Sequence, residues 1–228
     1  MSEAVRGSDV PEIDYSRFVT EDDEPVDNQL SEKQMRLLTR PLYATWAGRE
    51  FVAMANIALF YGEDEDPIVP DVLLSLGVRQ PADLTEKKNR SYFVWRYGKP
   101  PDVVIEIVSN DRGGEDTRKL ETYARVRVSY YVIYDPLRIL SQRPLKAYRL
   151  VEGRYVDLLD PGWLPEVGLG LVLWEGEFEG LKAGWVRWCD ENRAVLPTGQ
   201  ERAEQERERA DRLAQKLREL GIDPDAQA

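Results

Sequence analysis

An α/β fold with a mixed sheet is what the sequence predicts, on three observations. DVVIEIVS (102–109) places Val and Ile on both faces of a short run, as a buried strand does. SYYVIYDP (129–136) repeats that pattern and stops at Pro136, and EDTRKLETYARV (115–126) between them sets Leu120, Tyr123 and Ala124 on one helical face. With a helix and two more strand-like runs upstream, the order is helix, strand, strand, strand, helix, strand.

Residues 1–30 form an acidic arm whose stretch VTEDDEPVDNQ (19–29) has little to bury and is expected to be exposed or disordered. Ser31 offers an N-cap for a helix in which Met35, Leu38 and Leu42 recur at helical spacing, with Pro41 ending or kinking it. FVAMANIALFY (51–61) suits a strand or a second short helix equally well. GEDEDPIVP is a turn, and DVLLSLGV (71–78) is an apolar strand introduced by Asp71. The link from Arg79 to Lys99 is long and charged, so it is expected to cross the surface.

NDRGG is the turn into the helix over 115–126, whose acidic first turn suits the helix dipole. KAYRLVEGRYVDLL reads as a hairpin turning at Glu152-Gly153, and GLGLVLWEGEFEG adds further short strands as a small C-terminal β extension. The domain expected over 31–196 then gives way to a charged helical tail over 197–228. Ala203, Ala210 and Leu217 fall seven apart there, with Leu213 and Leu220 in matching positions and Glu206 breaking the seam. That tail is either a solvated helix or one that pairs with a partner or a second copy.

Charge bounds the function only loosely. The chain has 42 acidic and 31 basic residues, a net −11, of which residues 1–34 carry −7 and residues 197–228 carry −2. The central part is nearly neutral, so it neither supports nor excludes DNA as a substrate. No histidine is present, which excludes a His base, a His-ligated zinc site and a Ser-His-Asp triad. Cys189 is the only cysteine, so no internal disulfide forms. The N-terminus shows no apolar signal core, and FVAMANIALFYG (51–62) is too short to span a bilayer, so a cytoplasmic protein without a membrane partner is expected.

One residue is out of place. Glu106 lies in the middle of the apolar strand, where an ionised carboxylate costs several kcal/mol unless paired or bound to metal. Asp102 shares its face but lies roughly 13 Å along the strand at about 3.3 Å per residue, too far to hold one ion with it easily. Asp71 is the better partner: if its strand runs antiparallel to the next, the start of one meets the end of the other. Two carboxylates so placed repel unless a cation lies between them. Mg²⁺ or Mn²⁺ meets that need, with the backbone carbonyl of Ile107 and water completing the shell. Lys119, one turn into the following helix, has the reach to orient a metal-bound water or stabilise charge on a phosphoryl oxygen. Gly113-Gly114 offers a weak anion seat.

Each of these residues also has a purely structural reading. Glu106 could be bridged to Arg118 or Lys119, and Asp71 and Asp102, each after a proline, could satisfy turn backbone. Trp185 and Trp188 suit packing better than base stacking, and Arg118, Arg125 and Arg127 could meet phosphates or only water.

The motifs PDV (70–72), PDVVIEIVS (101–109), Lys119-Leu120 with Tyr123-Ala124, and YVI (131–133) before Asp135-Pro136 resemble the Uma-type family of restriction endonucleases, within the PD-(D/E)XK nuclease superfamily. The resemblance covers roughly residues 35–190. It implies a restriction-endonuclease-like αβββαβ core and a divalent-metal-dependent endonuclease that hydrolyses DNA phosphodiesters. By that resemblance Asp71 and Glu106 are the acidic positions, and Asp102 matches a recurring position of less defined role. The superfamily lysine two residues after the second acid is replaced here by Val108, with Lys119 matching a lysine displaced into the helix. Some relatives contribute a helical glutamate, for which Glu32 and Glu50 are the candidates here, neither of them assigned. The alternative is a catalytically weak or inactive protein of the same fold that binds partners through its C-terminal helix.

Overall fold

A computed structural model describes residues 13–18, 28–221 and 223. The acidic stretch expected to be exposed over 19–29 lies almost wholly outside the described residues. Residues 13–18, assigned to the same arm, are packed: Tyr15–Arg17 form a 3-10 turn, and Phe18 meets Phe60, Phe93 and Trp95.

Helix α1 spans Gln29–Thr45 and buries Met35, Leu38 and Leu42. Its N-cap is Asn28, not Ser31: the Asn28 side chain accepts from the Ser31 N–H at 2.9 Å. Pro41 lies inside this helix and does not end it. The chain after it supplies strands β1 (Phe51–Ala55), β2 (Leu59–Phe60) and β3 (Val72–Leu76), which resolves FVAMANIALFY as strand.

The link over 79–99 departs from its expected surface course. It carries β4 (Tyr92–Phe93) and the short helix α2 (Val94–Tyr97), and Tyr92 and Phe93 are fully buried. Parallel pairing of β2 with β4 and a hydrogen bond between Ser75 Oγ and Tyr92 Oη explain that burial.

Strand β5 (Val103–Ile107), helix α3 (Arg118–Val126) and strand β6 (Tyr130–Tyr134) follow, then the hairpin β7 (Leu145–Val151) and β8 (Arg154–Leu158). That hairpin turns at Glu152 (φ 49°) and Gly153 (φ 82°), the left-handed pair a two-residue turn requires. Strands β9 (Gly170–Phe178) and β10 (Leu181–Cys189) are nine residues each and form one long hairpin, not several short strands.

The main sheet has six strands in the order β1-β3-β5-β6-β7-β8. β5 and β6 are parallel around α3, and the other neighbours are antiparallel, so the fold is mixed α/β. Val103, Ile105 and Ile107 pack in the core shared with α1 and the β9–β10 hairpin. Val104 and Val108 face the other way, into the core with Leu73, Tyr123 and Tyr131. Glu106 lies on this second face, beneath α3.

Gln34 clamps α1 to β10 by accepting from Val186 N at 2.9 Å and donating to Val186 O at 2.8 Å, and Trp188 donates to Leu38 O at 2.7 Å. Trp185 and Trp188 are core residues. Helix α4 (Gly199–Glu219) starts with a Thr198–Glu201 capping box and buries none of its residues. Among the described residues no helix is long and apolar enough to cross a membrane.

Candidate functional site

Antiparallel pairing sets Val72 opposite Ile105 and Leu73 opposite Val104. Carried one residue further, that register brings Asp71 level with Glu106, and Asp71 Oδ2 accepts from the Ile107 N–H at 2.6 Å. The end of β5 and the start of β3 are thereby tied together at the carboxylate pair.

Glu106 is 1% exposed. Its Oε1 accepts from Tyr123 Oη at 2.5 Å and its Oε2 from Lys119 Nζ at 2.9 Å. Burial pushes its carboxyl up to about 8; the Lys119 charge opposes that rise, the Asp71 charge adds to it, and the Tyr123 hydrogen bond lowers it. For Lys119, burial alone favours the neutral amine, but the charge and hydrogen bond of Glu106 and the charge of Glu115 outweigh it and raise its pKa. Tyr123 is held well above the ordinary phenol range by burial and then by Glu106, so it stays a proton donor.

Lys119 reaches a second acid: its Nζ lies 3.3 Å from Glu115 Oε1. The loop before α3 makes room for that carboxylate. A Cβ on Gly113 would come within 1.8 Å of Glu115 Oε1, whereas Gly114 takes φ +70°, which favours glycine for a backbone reason. The expected anion seat is therefore not formed: the space over Gly113 holds a carboxylate.

The structure does not bring Asp102 to this cluster. Its Oδ2 accepts from Leu76 N at 2.7 Å and from Lys99 Nζ at 2.5 Å, at the opposite end of β5. Asp102 thus closes the far end of the β3–β5 pair, the turn-type role open to an acid after proline. Neither glutamate considered as a helical contributor joins the site: Glu32 pairs with Arg36, and Glu50, just before β1 and beside the end of β3 remote from Asp71, pairs with Arg79. Val108, where the resemblance places the superfamily lysine, is 1% exposed among apolar side chains. Arg118, the first residue of α3, is exposed near the site; Arg127 is exposed beyond the other end of α3, toward the Asp102 end of β5, and Arg125 pairs with Glu65.

Tyr123 and Glu115 are the members that sequence reasoning missed. Tyr123 fell on the apolar stripe and read as packing. Glu115 read as a dipole-matching acid, yet it lies just before the helix and is 6% exposed. The signal that could have found it was its i, i+4 spacing to Lys119.

Three carboxylates around one ammonium leave the cluster with excess negative charge. Among the described residues no three acidic or thiol groups are placed to hold one metal ion together. A cation at this site would accordingly take Asp71 and Glu106 as its protein carboxylates, while Glu115 serves Lys119. Both are hard oxygen donors, and a carboxylate oxygen with one hydrogen bond keeps a further lone pair, so the residues fit Mg²⁺ or Mn²⁺ completed by the Ile107 carbonyl and water.

The fold and site define a mixed α/β protein with a carboxylate pair and a lysine at the end of its central strands. The chain belongs to the Uma2 family, described as "Putative restriction endonuclease", whose model matches residues 23–176. A similar solved structure is that of a "putative nuclease belonging to DUF820" from Anabaena variabilis ATCC 29413, at 15% identity and a TM-score of 0.43, covering 61% of this chain and 73% of that one. None of the curated proteins matches.

Proposed function

We propose that the protein is a divalent-metal-dependent DNA endonuclease whose nuclease unit, with a restriction-endonuclease-like αβββαβ core, spans residues 31–196. The observation that carries this reading is the placement of Asp71 level with Glu106, with Lys119 Nζ 2.9 Å from the Glu106 carboxylate. Asp71, Glu106 and the Ile107 carbonyl would hold Mg²⁺ or Mn²⁺. The ion supplies Lewis-acid polarisation of the scissile phosphate and a more acidic water.

The chain's own residues do the rest. The Ile107 N–H fixes the Asp71 carboxylate, and Tyr123 fixes the Glu106 rotamer by donating to Oε1. Lys119 keeps an ammonium beside the carboxylate pair, where it stabilises negative charge growing on a phosphoryl oxygen or orients the attacking water. Arg118, exposed at the first turn of α3 beside Lys119, meets the flanking phosphate.

The test is cleavage of plasmid DNA by the purified protein with Mg²⁺, with Mn²⁺ and with chelator, alongside Glu106→Ala and Lys119→Ala. Cleavage by wild type only with metal, and its loss in both variants, supports the reading. Identical behaviour of all three proteins overturns it for that substrate.

A second reading has its own observation. α4 runs 21 residues without burying one, and Leu213, Leu217 and Leu220 are 53%, 36% and 74% exposed. A protein that recruits a partner helix or a second copy through α4 would look this way. Leu213→Glu with Leu217→Glu, followed by mass in solution, tests the homodimer: a dimer that becomes monomer supports it, and an unchanged mass counts against it.

A further inference from the structure

Lys119 is bound by two carboxylates, and only one of them belongs to the cation pair. A divalent ion on Glu106 competes with the Lys119 ammonium for the same carboxylate, since both are cations seeking its lone pairs. Something else must then keep the ammonium in place. Glu115 is built for that. It is 6% exposed, its Oε1 lies 3.3 Å from Lys119 Nζ, and its Oε2 is buried with no hydrogen-bond partner.

A buried carboxylate oxygen left without a partner costs free energy, so its persistence calls for a reason. Two further features hold Glu115 there. Tyr131 Oη donates to its backbone carbonyl at 2.8 Å, and the bare Cα of Gly113 leaves the volume its side chain fills.

We infer that Glu115 is a positioning residue: it holds the Lys119 ammonium beside Glu106 independently of what Glu106 binds, and its unpartnered oxygen takes up a second hydrogen bond from Lys119 or from water when the site is loaded. The catalytic consequence rests on the nuclease reading above; the hold on Lys119 does not.

The test uses the full chain without metal first. Lys119 acylation by an amine-reactive ester is followed by mass spectrometry in wild type, Glu115→Ala, Glu115→Gln and Gly113→Ala. The alanine at 113 is the decisive variant, because it leaves the carboxylate in the chain and only displaces it. Lys119 is expected to react about tenfold faster in Glu115→Ala and in Gly113→Ala, with Glu115→Gln, which keeps an acceptor oxygen, in between.

In Mn²⁺-dependent cleavage the same two variants should lower kcat by about 10–100-fold with KM changed by less than about threefold, as misplacement of one group does. Lys119 equally shielded in all four proteins overturns the inference, whatever the cleavage result. Should wild type fail to cleave DNA while shielding is lost in Glu115→Ala and Gly113→Ala, the nuclease reading falls and the positioning role stands.

Discussion

The Asp71 carboxylate accepts a hydrogen bond from the Ile107 backbone N–H at 2.6 Å, so the residue that opens β3 is fastened to the residue that follows Glu106. One bond serves packing and chemistry together. Asp71→Ala removes a charged acceptor from a strand end and should lower stability in urea by about 1.5–3 kcal/mol. Asp71→Ser, which keeps a shorter acceptor, should recover part of that stability without restoring metal-dependent cleavage.

Glu106 gives the protein a pH dependence with a defined sign. Its folded carboxyl is raised from 4.5 to about 8, so between those values the folded state binds more protons than the unfolded one. Stability of the metal-free protein should therefore fall as pH rises from about 5 to about 8. Glu106→Gln, which cannot ionise, should flatten that part of the curve when melting temperatures are compared across the range.

Much of this cluster was legible because it broke a rule. A carboxylate inside DVVIEIVS is conspicuous on an apolar background, and antiparallel strands fix which end of 71–78 it meets. Lys119 was legible as a lysine near the start of the next helix; that helix begins at Arg118, so Lys119 lies in its first turn, where it meets Glu106. What stayed hidden shares its residue type with ordinary structure. Tyr123 is a core tyrosine until its hydroxyl is seen on Glu106, and Glu115 is an ordinary first-turn acid until its side chain is seen on Lys119.

Other departures arise where tertiary contacts override local cues. Residues 79–99 look like a charged surface link, but Tyr92 and Phe93 close against β2 and Ser75. Asp135 before Pro136, which follows the YVI motif, organises its own loop by accepting from Ile139, Leu140 and Ser141 N–H groups.

The start of α4 is fastened by charge. Arg187, 3% exposed, donates to Glu201 and to Leu196 O, with its guanidinium 4.7 Å over the Trp174 ring. Burial would raise the Glu201 carboxyl, but Arg187 and the Thr198 N–H outweigh it and the net shift is downward. A depressed carboxyl contributes stability present above its unfolded value and lost as pH falls through the folded one. Urea denaturation between about pH 3 and pH 5.5 should show wild type losing more stability than Glu201→Gln on acidification, while at neutral pH Glu201→Ala should cost about 1–3 kcal/mol by stranding the buried guanidinium.

Lys119→Met separates the two readings of the ion pair. If the pair exists for stability alone, removing the ammonium should weaken the fold and leave nothing else to measure. On the present account the methionine variant folds, because Glu106 can take up a proton, and it loses cleavage while still binding Mn²⁺.

Calorimetric titration of Mn²⁺ into wild type, Asp71→Asn and Glu106→Gln addresses the carboxylate pair without requiring a DNA substrate. One site is expected in wild type, lost or weakened at least tenfold, about 1.4 kcal/mol, in each variant. Equal binding by all three proteins, or none by wild type, would contradict it.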